Sequence, residues 1–194
     1  MRRDGFGLGL GLPLGLALSL AACVAAPATD DGAGTDRDAN ADADVALCDA
    51  ISTYRVDHDL PAVPVSAALM TVARYHAEDL ASNGTGGASC NLHSWTRDDA
   101  RWTGCCYTDD NAQAACMWNK PREIASYAAP GVEIAAHAGS YITPSRAVSA
   151  WHASEHHRIV LTNDADFADA TWRAMGCAVE SGYAVVWFGE LAAP

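Results

Sequence analysis

Positive charge is what this chain has least of. Of its 194 residues only 12 are Lys or Arg, against 24 Asp or Glu, for a formal charge of -12. Such a surface repels phosphate backbones and anionic lipid head groups, so nucleic acid is excluded as a partner and neutral, cationic or metallic ones are favoured. A membrane-spanning run is also lacking: Phe6–Ala22 is uncharged, but it is short and broken by glycine. There is no C-x-x-C pair, which argues against a thiolate zinc site among Cys90, Cys105, Cys106 and Cys116. There is no G-x-S-x-G elbow, which argues against a hydrolase nucleophile held on a strained turn. No internal repeat is visible.

What is present begins with a leader. Arg2 and Arg3 precede the apolar run, which ends Leu20-Ala21-Ala22-Cys23. This is the order of a signal peptide, and the last four residues resemble a bacterial lipobox, in which the cysteine is lipidated and becomes the mature N-terminus. An ordinary signal cut near Ala22 or Ala26 is the alternative. Loss of residues 1–22 removes Arg2, Arg3 and Asp4, leaving 10 basic and 23 acidic residues, or -13. With Cys23 lipidated, the other six of the 7 cysteines, Cys48, Cys90, Cys105, Cys106, Cys116 and Cys177, suit three disulfides in an oxidising compartment. Spacing does not choose the pairing, except that the neighbours Cys105 and Cys106 are expected to take different partners. Residues 23–44 read as the lipidated cysteine followed by a disordered acidic tether with almost no large apolar side chain, too polar to offset its ordering entropy.

Residues 45–194 read as one domain. Leu47, Ile51, Tyr54 and His58 give a first helix from about Val45 to His58, with Asp44 as its cap. Pro61 and Pro64 enforce an extended link. Ser66 caps a second helix, whose stripe is Leu69, Val72, Ala73, His76 and Leu80 and which Asn83-Gly84 ends. Residues 89–130 hold four cysteines with Trp95, Trp102 and Trp118, and read as a disulfide-tied excursion whose indoles pack as a substitute core, the alternative being that they line a ligand groove for sugars or lipids. Thr143-Pro144 starts a third, short helix. Ala174–Glu180 and Tyr183–Gly189 form a hairpin about Ser181-Gly182. This order indicates an α+β domain with helices packed on an antiparallel sheet.

Several of these segments, in order, resemble the CAP superfamily (cysteine-rich secretory proteins, antigen 5, pathogenesis-related proteins), whose unit is also called the SCP domain. They are Tyr54-Arg55 with Leu60-Pro61, the Leu69-to-Ala81 stretch, His93-Ser94, Gly131-Val132-Glu133-Ile134, Trp151-x-x-Ser154-x-x-His157-Arg158 and the closing strands around Met175-Gly176-Cys177 and Trp187-Phe188-Gly189. The resemblance implies an α-β-α sandwich with a central antiparallel sheet. It also implies a cleft in which His93, His157 and Glu133 could hold a divalent metal such as Zn2+, with the family's second acid replaced by Ser154.

Three further readings compete at these residues. His93, Glu133 and His157 could instead be a hydrogen-bonded scaffold. His152-Ala153-Ser154-Glu155-His156 matches the inverted zincin signature H-x-x-E-H, which needs both histidines on one helix. A serine hydrolase would use Ser94 or Ser154 with His157 as base and Glu133 as orienter. His58 and His76 read as residues of partly buried helix faces. The functional expectation is a cell-envelope lipoprotein, anchored at the outer membrane or cell surface or else secreted. Its CAP-like domain would bind a small ligand, a metal or an envelope protein without being an enzyme. The alternatives are a metal-dependent hydrolase using His93, Glu133 and His157, and a structural envelope protein.

Overall fold

The strand residues of the C-terminal half are apolar on both faces, and helices cover both. A computed structural model describes residues 33–192 apart from residue 97; the leader and Cys23 lie outside the described residues. The helices are α1 (Ala33–Val56), α2 (Ala67–Asn83), α3 (Ala114–Trp118), α4 (Lys120–Ala125), α5 (Pro144–Ala153) and α6 (Glu155–Thr162). The strands are β1 (Val132–His137), β2 (Ala174–Glu180) and β3 (Tyr183–Gly189). They form one antiparallel sheet in the order β1-β3-β2.

Strand alternation divides the core in two. Val185 and Trp187 of β3, Ala174 and Ala178 of β2 and Ala135 of β1 pack with Leu69, Val72, Ala73 and Leu80 of α2, and with Trp95 and Trp102. Val186 and Phe188, Cys177 and Val179, and Ile134 and Ala136 face the other way, toward Leu47 and Ile51 of α1 and Trp151 of α5. The result is the expected helix-sheet-helix sandwich. Gly176 lets α2 approach β2 closely, since a Cβ there would stand 2.0 Å from the Leu69 carbonyl carbon. The hairpin turns at Ser181 (φ 44) and Gly182 (φ 86), two left-handed residues in succession, as a two-residue hairpin requires.

Ser66 caps α2 by accepting from Leu69 N, and Thr143 caps α5 by accepting from Arg146 N. In the last turn of α1, the buried Arg55 ties the link to α2 onto α6. It donates to the carbonyls of Pro61 (3.0 Å) and Leu161 (2.6 Å) and to Asn163 Oδ1 (2.8 Å). The disulfides are Cys48–Cys177, joining α1 to β2, and Cys90–Cys106 with Cys105–Cys116 inside the excursion. Cys105 and Cys106 thus take different partners. The excursion is more regular than expected, because it contains α3, α4 and a bridge between Trp95 and Cys105.

The start of the domain differs from the expectation of a tether reaching residue 44. Helix α1 begins at Ala33, not near Val45, and Asp44 lies inside it as a buried side chain, not a cap. Its carboxylate accepts from the Val179 backbone N–H (2.8 Å) and from Arg74 Nε (2.8 Å). One turn earlier, Asn40 Nδ2 donates to Glu180 at 2.6 Å. These polar side chains serve the open edge of β2, a role invisible to a composition argument that weighs only apolar burial. Asp44→Ala leaves the Val179 N–H buried without an acceptor. Urea denaturation is expected to show a loss of about 1–3 kcal/mol; an unchanged midpoint would return the segment to the status of a tether.

Candidate functional site

Two buried polar residues interrupt the apolar layer beneath α2. His76 lies within the stripe that α2 turns to the sheet, and Glu133 shares its strand face with Ala135, the face that looks at α2. Both are buried, and strand parity and helix periodicity bring them together. His76 Nδ1 hydrogen-bonds Glu133 Oε1, and His76 Nε2 donates to the Ser94 carbonyl at 3.0 Å. With Nε2–H committed to a carbonyl, the proton in the bond between Nδ1 and the carboxylate makes the ring an imidazolium when it rests on the nitrogen. Burial disfavours that charge, but the charge and hydrogen bond of Glu133, aided by the Ser94 carbonyl, outweigh it and hold the His76 pKa above its usual value. Burial likewise opposes ionisation of Glu133. The charge and hydrogen bond of His76 and the bond from His93 overcome it, leaving the carboxyl pKa below its usual range. The ring of His76 stacks on Trp95, with centroids 4.4 Å apart and planes 10° apart.

The second Glu133 oxygen faces the cleft. Oε2 accepts from His93 Nδ1 at 2.8 Å, which leaves His93 Nε2 as the ring nitrogen not engaged by Glu133. His93 is placed by the excursion. Its own N–H donates to Asn91 Oδ1 (3.1 Å), and the next residue, Ser94, exchanges bonds with Tyr107: Ser94 Oγ accepts from Tyr107 N (2.8 Å) and donates to Tyr107 O (3.3 Å). His157, on α6, lies with its ring centroid 6.3 Å from that of His93. Burial lowers its pKa to about 4, helped by the neighbouring charges of His93 and His156 and only partly offset by Glu133. His157 is therefore a neutral imidazole at physiological pH.

These groups open onto a cleft of about 780 Å³, the size of a small-molecule site. Its walls include His93, Tyr107, Glu133, Ser154, His156 and His157 on the polar side, and Met117, Trp118, Ile159 and Phe167 on the apolar side. The structure thus brings His93, Glu133 and His157 to one place. In this arrangement Glu133 is already engaged at both oxygens, each by an imidazole, so Glu133 orients His93 instead of facing a metal, and only two nitrogens remain to be offered. Among the described residues no group of three or more His, Cys, Asp or Glu side chains is placed to hold a metal ion.

The competing motifs come apart for local reasons. Helix α5 stops at Ala153, Ser154 is extended (φ -92, ψ 120), and α6 begins at Glu155. His152 and His156 therefore sit on different helices, and His152 Nδ1 lies 2.9 Å from Tyr54 Oη, so H-x-x-E-H forms no zincin face. Ser94 is buried scaffold, and Glu133 orients His93 and not His157, so the serine-hydrolase arrangement is not assembled. The indoles divide as well: Trp95 and Trp102 are core, whereas Trp118 is 45% exposed and lines the cleft. His76 was missed as a site residue because a histidine in an apolar stripe reads as an ordinary helix face. Its signal was the coincidence of one such histidine with one carboxylate in an otherwise apolar strand.

Comparison with known proteins establishes the fold. No protein-family model matches the chain, and no curated protein matches it. Among solved structures, an extracellular SCP-domain protein of Bacillus anthracis superposes with a TM-score of 0.53 at 15% identity, over 78% of this chain and 41% of that one. A cysteine-rich secretory protein of Staphylococcus aureus gives 0.50 at 15% identity, over 78% of this chain and 39% of that one. The chain therefore has the CAP/SCP fold and spans about two fifths of the length of these two proteins.

The depressed pKa of His157 makes stability depend on pH in a defined direction. The unfolded chain binds the proton near pH 6.5 and the folded chain only near 4. Protonation therefore favours unfolding, and stability should fall as pH drops from about 6.5 to 4. The raised pKa of His76 acts oppositely, adding stability at low pH that is lost as pH rises through its folded value. Urea unfolding of His157→Asn across that window should show a shallower acid loss than the parent chain. Identical slopes would mean that His157 is solvated and ordinary.

Proposed function

We propose that the chain is an exported binding module of the cell envelope, lipid-anchored through Cys23, that takes its ligand in the cleft between His93 and His157. The observation that carries this reading is the preorganised imidazole. A buried pair, His76 with Glu133, holds the direction of His93 at the mouth of a roomy cleft. Export is supported by the leader and by six cysteines arranged as three disulfides. The membrane partner is the bilayer reached through the Cys23 lipid. Among the described residues no helix is long and apolar enough to cross a membrane.

Binding is favoured over metal-assisted hydrolysis because the third donor is occupied. Zinc titration by calorimetry, beside a His93→Ala/His157→Ala double variant, is expected to show only weak binding by the parent and none by the variant. Tight stoichiometric zinc in the parent would mean that Glu133 leaves His76 to become a ligand, and would reopen the hydrolase reading. The ligand-binding reading has its own readout. A small-molecule fragment that binds the folded chain raises its Tm by linkage, and His157→Ala or Trp118→Ala should reduce that rise. Fragments whose stabilisation ignores both substitutions would move the binding surface away from the cleft.

A further inference from the structure

The cleft's permanently charged side chains are of one sign, and three histidines, His93, His156 and His157, stand among them. Of the described residues that line it, none is Lys or Arg, while three are carboxylates: Asp109, Glu133 and Asp166. Glu133 is matched by the imidazolium of His76, so its charge is spoken for inside the protein. Asp109 and Asp166 are exposed, and among the described residues neither has a cationic side chain in an ion pair. Asp109 accepts only a neutral amide bond, from Asn91 Nδ2 at 3.2 Å. His157 is neutral and adds no positive charge to the wall. The chain as a whole carries -12, so its long-range field has the same sign.

The apolar side has a fixed aromatic platform. Trp118 ends α3, a five-residue helix pinned by the Cys105–Cys116 disulfide, and the Gly131 N–H donates to its carbonyl at 3.0 Å. Its indole is nevertheless 45% exposed and faces the cleft with Met117 and Phe167. An exposed indole and exposed carboxylates lining one cleft attract a cation, the first through its π face and the second through Coulomb attraction. An anion meets repulsion from the carboxylates and finds no cationic partner.

We infer that the cleft selects an alkylammonium ligand, a primary or quaternary amine carried on an apolar body, and rejects carboxylated or phosphorylated amphiphiles. The apolar body lies against Trp118, Met117 and Phe167, and the ammonium turns to Asp109 and Asp166. This inference rests on the cleft being the ligand site. It goes beyond that reading by fixing the ligand's charge.

Hexylamine, hexanol and hexanoate share one apolar body and differ in charge. Each would be titrated into the 15N-labelled chain while the Trp118 indole N–H resonance is followed. At low salt hexylamine should bind about tenfold more tightly than hexanoate, with hexanol between, and added salt should narrow the spread. Asp109→Asn/Asp166→Asn should weaken hexylamine by roughly fivefold and leave hexanol unchanged. Trp118→Ala, followed through cleft backbone amides, should weaken both. Phosphocholine in place of hexylamine separates a quaternary head group carrying phosphate from a simple amine, and should bind less well. Equal affinities across the series, or indifference to the aspartate substitutions, would overturn the charge inference while leaving the cleft as the binding site. No shift of any cleft resonance by any of the three compounds would overturn both.

Discussion

A single carboxylate under the second helix organises the site. Glu133 is fully desolvated, and a lone ionised carboxylate there would be strongly disfavoured. It is tolerated because one oxygen is bonded to a protonated His76 and the other to His93. The cost of removing one partner is therefore unlike the net value of the pair. Without His76, a buried charge is left facing apolar side chains; without Glu133, a buried imidazolium is. The same arrangement sets the chemistry of the cleft, since His93 presents Nε2 only because Nδ1 is held from behind.

The scaffold explains why the cluster forms there. Alternation in β1 sends Ile134 and Ala136 to one layer and Glu133 and Ala135 to the other. The α2 stripe meets that second layer, and Gly176 allows the approach. The excursion then closes the cluster, because the Ser94 carbonyl receives His76 and the Ser94 hydroxyl locks to Tyr107. The excursion's two disulfides keep these segments together. Four buried tryptophan Nε1 atoms, of Trp95, Trp102, Trp151 and Trp187, have no acceptor among the described residues. These rings are there to fill volume, and their large apolar burial outweighs the unpaired N–H groups.

Much of this fold was legible because its signals are local. Ser66, Thr143-Pro144, Asn83-Gly84 and Ser181-Gly182 mark their boundaries by capping and turn chemistry that needs no tertiary context. The early start of α1 was not legible. Asp44 and Asn40 look like solvated tether residues, and only the open edge of β2, far along the chain, gives them partners. The candidate site was legible in membership and not in roles. His93, Glu133 and His157 do converge, but spacing cannot show that a fourth residue, His76, occupies the carboxylate. Nor can five residues reading H-x-x-E-H reveal that Ser154 is extended and divides them between two helices.

The roles bear on the proposed preference for binding over catalysis. A general base works best when its pKa lies near the working pH and a nucleophile stands within reach. His157, titrating near 4, is a weak base, and no hydroxyl is hydrogen-bonded to it or to the free nitrogen of His93 among the described residues. Ser94 is buried and engaged at both its hydrogen and its lone pair, and Ser154 serves as the joint between α5 and α6. What remains is a pair of imidazoles, an acidic rim and an indole. Those groups can recognise a donor-bearing, cationic ligand without moving a proton, and the ion pair behind them keeps them in place when the cleft is empty.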